Sequence, residues 1–221
     1  MGRSTDRMCP ARALNNPLRR KFAPGSRETA FLDLAPGQVV ADLGTGVGFL
    51  LPSILDRIGS NGRLYAADVD RENLDIARDN VKADPRVQFL ERSAAQVPEI
   101  PDEGVDRACL SLVLCCMLDK QGALDEVWRV LRPGGLVMCT YPPAVPRFGP
   151  SLAVSKKVWK ELVGHHPWEV VPVKQGVLVH RHLLRKPARE TGRTETRSPR
   201  KDPAVTAGLE KEQGSYPKAT P

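Results

Sequence analysis

Apolar residues recur along this chain in two rhythms. Val39 to Asp42, Leu64 to Asp68, Val87 to Leu90, Val105 to Ser111 and Leu136 to Tyr141 are short apolar runs, the pattern of strands buried on both faces. Between them the spacing becomes helical. Leu74, Ala77 and Val81 share one side of a segment from Arg71 to about Ala83. Leu124, Val127, Val130 and Leu131 do the same from Asp119 to Leu131, where Pro133-Gly134-Gly135 stops the helix. A helix after Gly48 runs to about Ile58, with Pro52 in its first turn, where a missing amide proton costs little. A short apolar helix, Glu28 to Leu34, precedes the first strand across Pro36-Gly37.

Beyond Tyr141 a proline-rich loop (Pro142 to Pro150) leads to a helix from about Ser151 to Val163. Two closing strands, Trp168 to Val173 and Val177 to Leu184, are linked by Lys174-Gln175-Gly176, short enough to make them an antiparallel hairpin. Five β/α units and a hairpin predict an α/β fold. It is a single Rossmann-like, doubly wound sheet, mostly parallel, with helices on both faces and closed by the antiparallel sixth and seventh strands. Residues 1–25 read as a basic N-terminal arm and candidate lid, 26–186 as the folded domain, and 187–221 as a disordered polar tail. Truncation of the arm is expected to raise substrate KM or weaken cofactor binding without unfolding the domain.

The 221 residues carry a net charge of +7. Arg185 to Pro221 hold nine basic and five acidic side chains, so much of the excess lies in the tail. Such a tail can touch nucleic acid, yet no nucleic-acid-binding motif accompanies it. The longest apolar run, Ala108 to Leu118, is too short to span a membrane. Five cysteines is an odd number, and Cys109, Cys115 and Cys139 lie in or beside apolar runs. That pattern predicts reduced, packed thiols in a cytoplasmic protein, with no metal site.

The chemistry concentrates in Val39 to Leu50, where an apolar run ends in Asp42 and Gly44, Gly46 and Gly48 alternate with other residues. Alternating glycines permit a tight strand-to-helix turn that a ligand can approach closely. The first helical amides then face that ligand. Asp68 follows Gly48 by 20 residues, at the end of the next strand, where a nucleotide-binding βαβ unit places a carboxylate for ribose hydroxyls. The spacing is G-x-G-x-G, distinct from the G-x-G-x-x-G of dinucleotide folds. Asp42, the glycines, Asp68 and Ser111 all fall at carboxyl ends of strands, the rim where open α/β sheets bind ligands.

Over roughly residues 29 to 186 the chain resembles the class I S-adenosylmethionine (SAM)-dependent methyltransferases, in the group that includes ubiquinone and menaquinone methyltransferases. Four motifs carry the resemblance: residues 39–48, 64–70, 111–119 and 126–136. It implies SAM as cofactor and an enzyme that moves the sulfonium methyl group to an acceptor. It also implies roles for single residues. Asp42 organises the glycine loop and faces the amino end of the methionine moiety, which Gly44, Thr45, Gly46 and Gly48 allow to approach. Asp68 accepts from the ribose hydroxyls and Val69 packs on the adenine. Ser93 and Ala94 flank the adenine, and Ser111 lines the cofactor near the methyl group.

The chain departs from the pattern of the family it resembles at two places. Arg92-Ser93-Ala94 stands where similar sequences read Gly-Asp-Ala, so Ser93 replaces a stronger acceptor for the adenine amino group. Cys115-Cys116 stands where His-His is common; the thiols either ligate a soft acceptor such as arsenic(III) or pack as small apolar residues.

Methyl transfer needs the acceptor held in line and desolvated, and a base only where a proton must leave early. Tyr141, at the end of the fifth strand, is the one candidate base on the functional rim. His180 and His182 share a strand face, and His165-His166 lie in a loop. The leading expectation is therefore a small-molecule methyltransferase. The alternatives are an RNA or protein methyltransferase, or a SAM-binding partner subunit without catalysis.

Overall fold

A computed structural model describes residues 25–142, 154–175 and 179–189. Residues 1–24 of the arm, most of the proline-rich loop and residues 190–221 of the tail therefore lie outside the described residues, while Arg189, placed in the tail by the sequence, pairs with Glu103 at 2.7 Å. A short helix α1 (Gly25–Thr29) continues as a 3-10 turn (Ala30–Leu32). There follow β1 (Val39–Leu43), α2 (Leu51–Ile58), β2 (Arg63–Asp68), α3 (Arg71–Asn80) and β3 (Val87–Glu91). The chain goes on through β4 (Val105–Ser111), α4 (Lys120–Val130), β5 (Leu131–Tyr141), α5 (Lys156–Val163), β6 (Glu169–Val171) and β7 (His180–Arg185). No helix among the described residues is long and apolar enough to cross a membrane.

All seven strands form one sheet in the order β3-β2-β1-β4-β5-β7-β6. The first five pair in parallel, and β7 pairs antiparallel with both β5 and β6. The chain leaves β1 for β2 and β3 on one side, then returns to lay β4 on the other. The switch point therefore lies between β1 and β4, which opens a crevice at their carboxyl ends.

Strand alternation sorts the core into two layers. Ala41, Leu43, Ala108, Leu110, Val137, Cys139 and Leu184 face α4 and α5. Val40, Cys109, Met138 and Leu183 face the 3-10 turn and α2. β1, β2, β4 and β5 are largely buried, which explains why their runs read as continuous rather than alternating.

Element boundaries differ from the expectation in several places: β5 begins at Leu131, five residues ahead of the predicted Leu136, and α5 begins at Lys156, after the predicted Ser151. The segment 28–34 is not one helix; α1 ends at Thr29 and tightens into the 3-10 turn, closed by Asp33 in a left-handed conformation (φ 48°). Helix α3 stops at Asn80, ahead of Ala83, because Lys82 and Ala83 both take positive φ to turn the chain before Pro85.

No helix joins β3 to β4, so that crossover is not a β/α unit. Pro98, Pro101 and Gly104 break residues 92–104 into turns. Two charges of α4 serve the backbone there. Glu126 Oε1 accepts from Val97 N at 2.6 Å, and Arg129 donates to Ile100 O at 2.9 Å and Val97 O at 3.2 Å.

The closing strands are shorter than predicted and 172–179 separate them. The Gln175 side chain accepts from Arg181 N (3.0 Å) and donates to Arg181 O (2.8 Å), standing in for a backbone partner at the edge of the ladder.

Candidate functional site

At the carboxyl end of β1 the chain turns sharply, and Gly44, Gly46 and Gly48 all have positive φ (77°, 54° and 74°). At Gly44 the surroundings also forbid a side chain, since an added Cβ would meet the Val113 side chain, with Cγ1 at 2.9 Å and Cγ2 closer still. Asp42, only 2% exposed, accepts from Thr45 Oγ1 at 2.8 Å, tying the strand end to the loop that follows. The Gly44 and Thr45 amides both donate to Ala67 O, at 2.7 and 2.8 Å, which fastens the loop to β2.

Asp68, at the end of β2, is bound into this loop. Its Oδ2 accepts from Gly46 N at 2.8 Å, while Oδ1 accepts from Asp70 N at 3.0 Å and Asn73 Nδ2 at 3.3 Å. A carboxylate offers about four lone-pair positions, so three are taken within the protein. Asn73 is a site residue that sequence reasoning missed. It is 3% exposed, and with its amide nitrogen turned to Asp68 its Oδ1 is left without a partner among the described residues. Its signal was a neutral polar side chain on the apolar face of α3, beside Leu74 and Ala77.

The other expected cofactor residues sit around this loop. Val69 is half-buried directly after Asp68. Ser93 Oγ accepts from Ala95 N at 3.3 Å, and Ala94 is buried. The Arg92 amide reaches Asp68 O at 3.0 Å, which joins the segment after β3 to the end of β2.

Ser111 ends β4 opposite Thr140 of β5. Its hydroxyl donates to Glu28 Oε2 at 3.2 Å and lies 3.2 Å from Thr140 Oγ1. Because Ser111 gives its proton to the carboxylate, the buried Thr140 hydroxyl donates to Ser111. Glu28, from α1, is a second residue the sequence did not single out. Buried Cys109 registers both nearby acids: burial first, then the charges of Asp42 and Glu28, push its thiol well above the ordinary range.

The opposite face of β5 carries a ring cluster. Tyr141 pairs with His180 and Cys139 with His182 in the antiparallel register. The Tyr141 hydroxyl lies 2.8 Å from His182 Nε2, and the two rings stack with centroids 5.4 Å apart. Trp159 of α5 lies 4.1 Å from His182 and 5.6 Å from Tyr141 between ring centroids, and His180 lies 5.7 Å from Tyr141. Burial, then His180, lowers the His182 pKa to about 4. Burial, then Cys139, raises that of Tyr141. Both shifts favour uncharged forms, so at neutral pH phenol and imidazole form a neutral hydrogen-bonded pair.

The remaining candidates stand apart from this group. His166 lies 2.8 Å from Asp125 and stacks on Trp128. Cys115 and Cys116 have sulfurs 3.8 Å apart, and both thiols donate to Leu112 O. Among the described residues no group of acidic, histidine and cysteine side chains could hold a metal ion.

Residues 41–139, from β1 to β5, match the family model described as a methyltransferase domain. The SAM-dependent methyltransferase of Aquifex aeolicus has the same fold, with a TM-score of 0.69 at 22% identity, over 80% of this chain and 96% of that one. Residues 41–139 thus carry a methyltransferase domain, set in the fold that SAM-dependent methyltransferases share.

Over 110 residues this chain is 34% identical to the arsenite methyltransferase of Halobacterium salinarum, across 49% of its own length and 28% of the relative's. Over 107 residues it is 32% identical to the ubiquinone/menaquinone biosynthesis C-methyltransferase of Hydrogenovibrio crunogenus, across 48% and 42%. The match thus spans less than half the length of both curated relatives. The methyltransferase domain and its fold imply SAM as cofactor, and the site fits it. The loop gives close backbone access at Gly44 and Gly46, and Asn73 Oδ1 is a buried acceptor beside the carboxylate at the end of β2.

Proposed function

We propose that this chain transfers the methyl group of SAM to a small, ring-containing acceptor. In this reading Gly44, Thr45, Gly46 and Gly48 cradle the methionine half of the cofactor, with Asp42 behind them. Asp68, Val69, Ser93 and Ala94 surround the adenosine, and Ser111 lies toward the methyl group. SAM supplies the electrophile, and the chain's task is to hold the acceptor in line and away from water.

The observation that carries the reading is the cluster of Tyr141, Trp159, His180 and His182 at the carboxyl end of β5. Stacked aromatic and imidazole rings suit a flat apolar acceptor. The hydrogen bond between the Tyr141 hydroxyl and His182 orients that wall. Its raised pKa makes phenolate formation costly, so the acceptor is one that needs no strong base. Small-molecule relatives such as the arsenite and ubiquinone/menaquinone methyltransferases agree with this scale of acceptor.

The test is methyl-labelled SAM with the purified chain and three acceptor pools: phenols and quinols, total RNA, and total protein. Label is expected in the small-molecule pool, and Trp159→Ala should raise the acceptor KM about tenfold with the SAM KM little changed. Label confined to RNA or protein would overturn the small-molecule assignment.

A further inference from the structure

Glu28 is a carboxylate only 8% exposed. Among the described residues its hydrogen-bond partner is the Ser111 hydroxyl, and no lysine, arginine or histidine pairs with it. An ionised carboxylate held away from water is costly unless an opposite charge or several donors compensate it. One hydroxyl is weak compensation, even strengthened by Thr140 behind it. The location is specific. Ser111 and Thr140 are paired at the carboxyl ends of β4 and β5, beside the switch point. The glycine loop follows β1 on the other side of that point. Cys109, two residues before Ser111, lies within electrostatic reach of both Glu28 and Asp42. α1 thus brings a negative charge to the same rim that receives the cofactor.

We propose that Glu28 is the counter-charge of the SAM sulfonium, and that it makes the site prefer SAM over its demethylated product, S-adenosylhomocysteine. The inference rests on SAM being the cofactor. The two molecules share adenosine, ammonium and carboxylate, and differ by one methyl group and one positive charge at sulfur. A carboxylate facing the sulfur reads that difference directly. When the methyl leaves, sulfur becomes neutral, the attraction disappears, and the product is released more readily. Positive charge on sulfur is already dispersing in the transition state. Glu28 therefore binds the ground state more strongly than the transition state, and its removal does not slow the chemical step.

The experiment is calorimetric titration of the full chain and of Glu28→Gln with SAM and with S-adenosylhomocysteine. Wild-type protein is expected to bind both. Glu28→Gln should weaken SAM about tenfold and leave S-adenosylhomocysteine within about twofold. Ser111→Ala removes the hydroxyl but not the charge, and should keep the preference for SAM. If Glu28→Gln does not fold, Glu28→Asp draws the charge back by one methylene and should show an intermediate ratio. Equal weakening of both ligands, or no change in either, overturns the assignment of Glu28 while the cofactor stands. Failure of wild-type protein to bind either ligand overturns both.

Discussion

Replacing Asp68 by asparagine keeps the shape of the side chain and removes one acceptor oxygen. In the fold Oδ2 receives the Gly46 amide and Oδ1 receives the Asp70 amide and the Asn73 nitrogen. An asparagine has two orientations there, and each sets donors against donors. With its oxygen toward Gly46, its NH2 faces two donors; with its oxygen toward Asp70 and Asn73, its NH2 faces the Gly46 amide. The second arrangement loses less and orphans a single amide. That costs about 1–3 kcal/mol, and the half-buried setting points to the lower part of the range. The expected loss is therefore about 1–2 kcal/mol of stability in cofactor-free protein, read as a lower urea midpoint at unchanged slope. Binding of S-adenosylhomocysteine should weaken as well, by about tenfold or more, because Gly46, in the middle of the loop, is no longer held by the side chain at the end of β2. Asp68→Ala should lose more in both assays. The reasoning is refuted if cofactor-free Asp68→Asn is as stable as wild type while ligand binding collapses. Asp68 would then act on the ribose alone, and its bond to Gly46 would be incidental.

Other outcomes follow from the same geometry. Gly44→Ala combines a positive φ with a clash against Val113, so it should cost about 2–4 kcal/mol; adding Val113→Ala should return the steric part only, as a double-mutant cycle in urea would show. Burial tends to raise the Glu126 pKa, but Arg129 and the Val97 amide outweigh it and hold the carboxyl below its ordinary 4.5. Its contribution is thus full above that value and lost as pH falls through the folded one, and Glu126→Gln should flatten the acid limb of a stability–pH curve. His182, with its pKa near 4 against an ordinary 6.5, takes up its proton more readily when unfolded. Stability should therefore decline as pH drops from 6.5 toward 4, and thermal melts of His182→Asn should show a smaller decline than wild type.

Much of this architecture was legible in local pattern. The runs at 39–43, 64–68 and 105–111 announced strands because both faces of a central parallel strand are buried, so most positions are apolar and the polar ones gather at the strand ends. Gly44, Gly46 and Gly48 announced the turn because backbone angles leave few alternatives, and Asp68 could be found by counting along one βαβ unit. Reading failed where elements are short or held by contacts from elsewhere. Residues 92–104 are turns because three breakers interrupt them, and α4 reaches across with Glu126 and Arg129 to satisfy their backbone. The 3-residue β6 is a strand only because β7 lies beside it.

By itself, then, the sequence determined the central strands, the helices α2 to α4, the nucleotide loop and the class of cofactor, since each is encoded within one or two neighbouring elements. Tertiary structure decided what meets across the sheet. Glu28 and Ser111 are 83 positions apart, and Tyr141 and His182 are 41 apart. Nothing in either segment's periodicity announces those meetings. They depend on which strand inserts beside which and in what register. Burial of both sheet faces sets that register, because a slip of one residue would turn Thr140 and Tyr141 to opposite sides and dissolve both clusters.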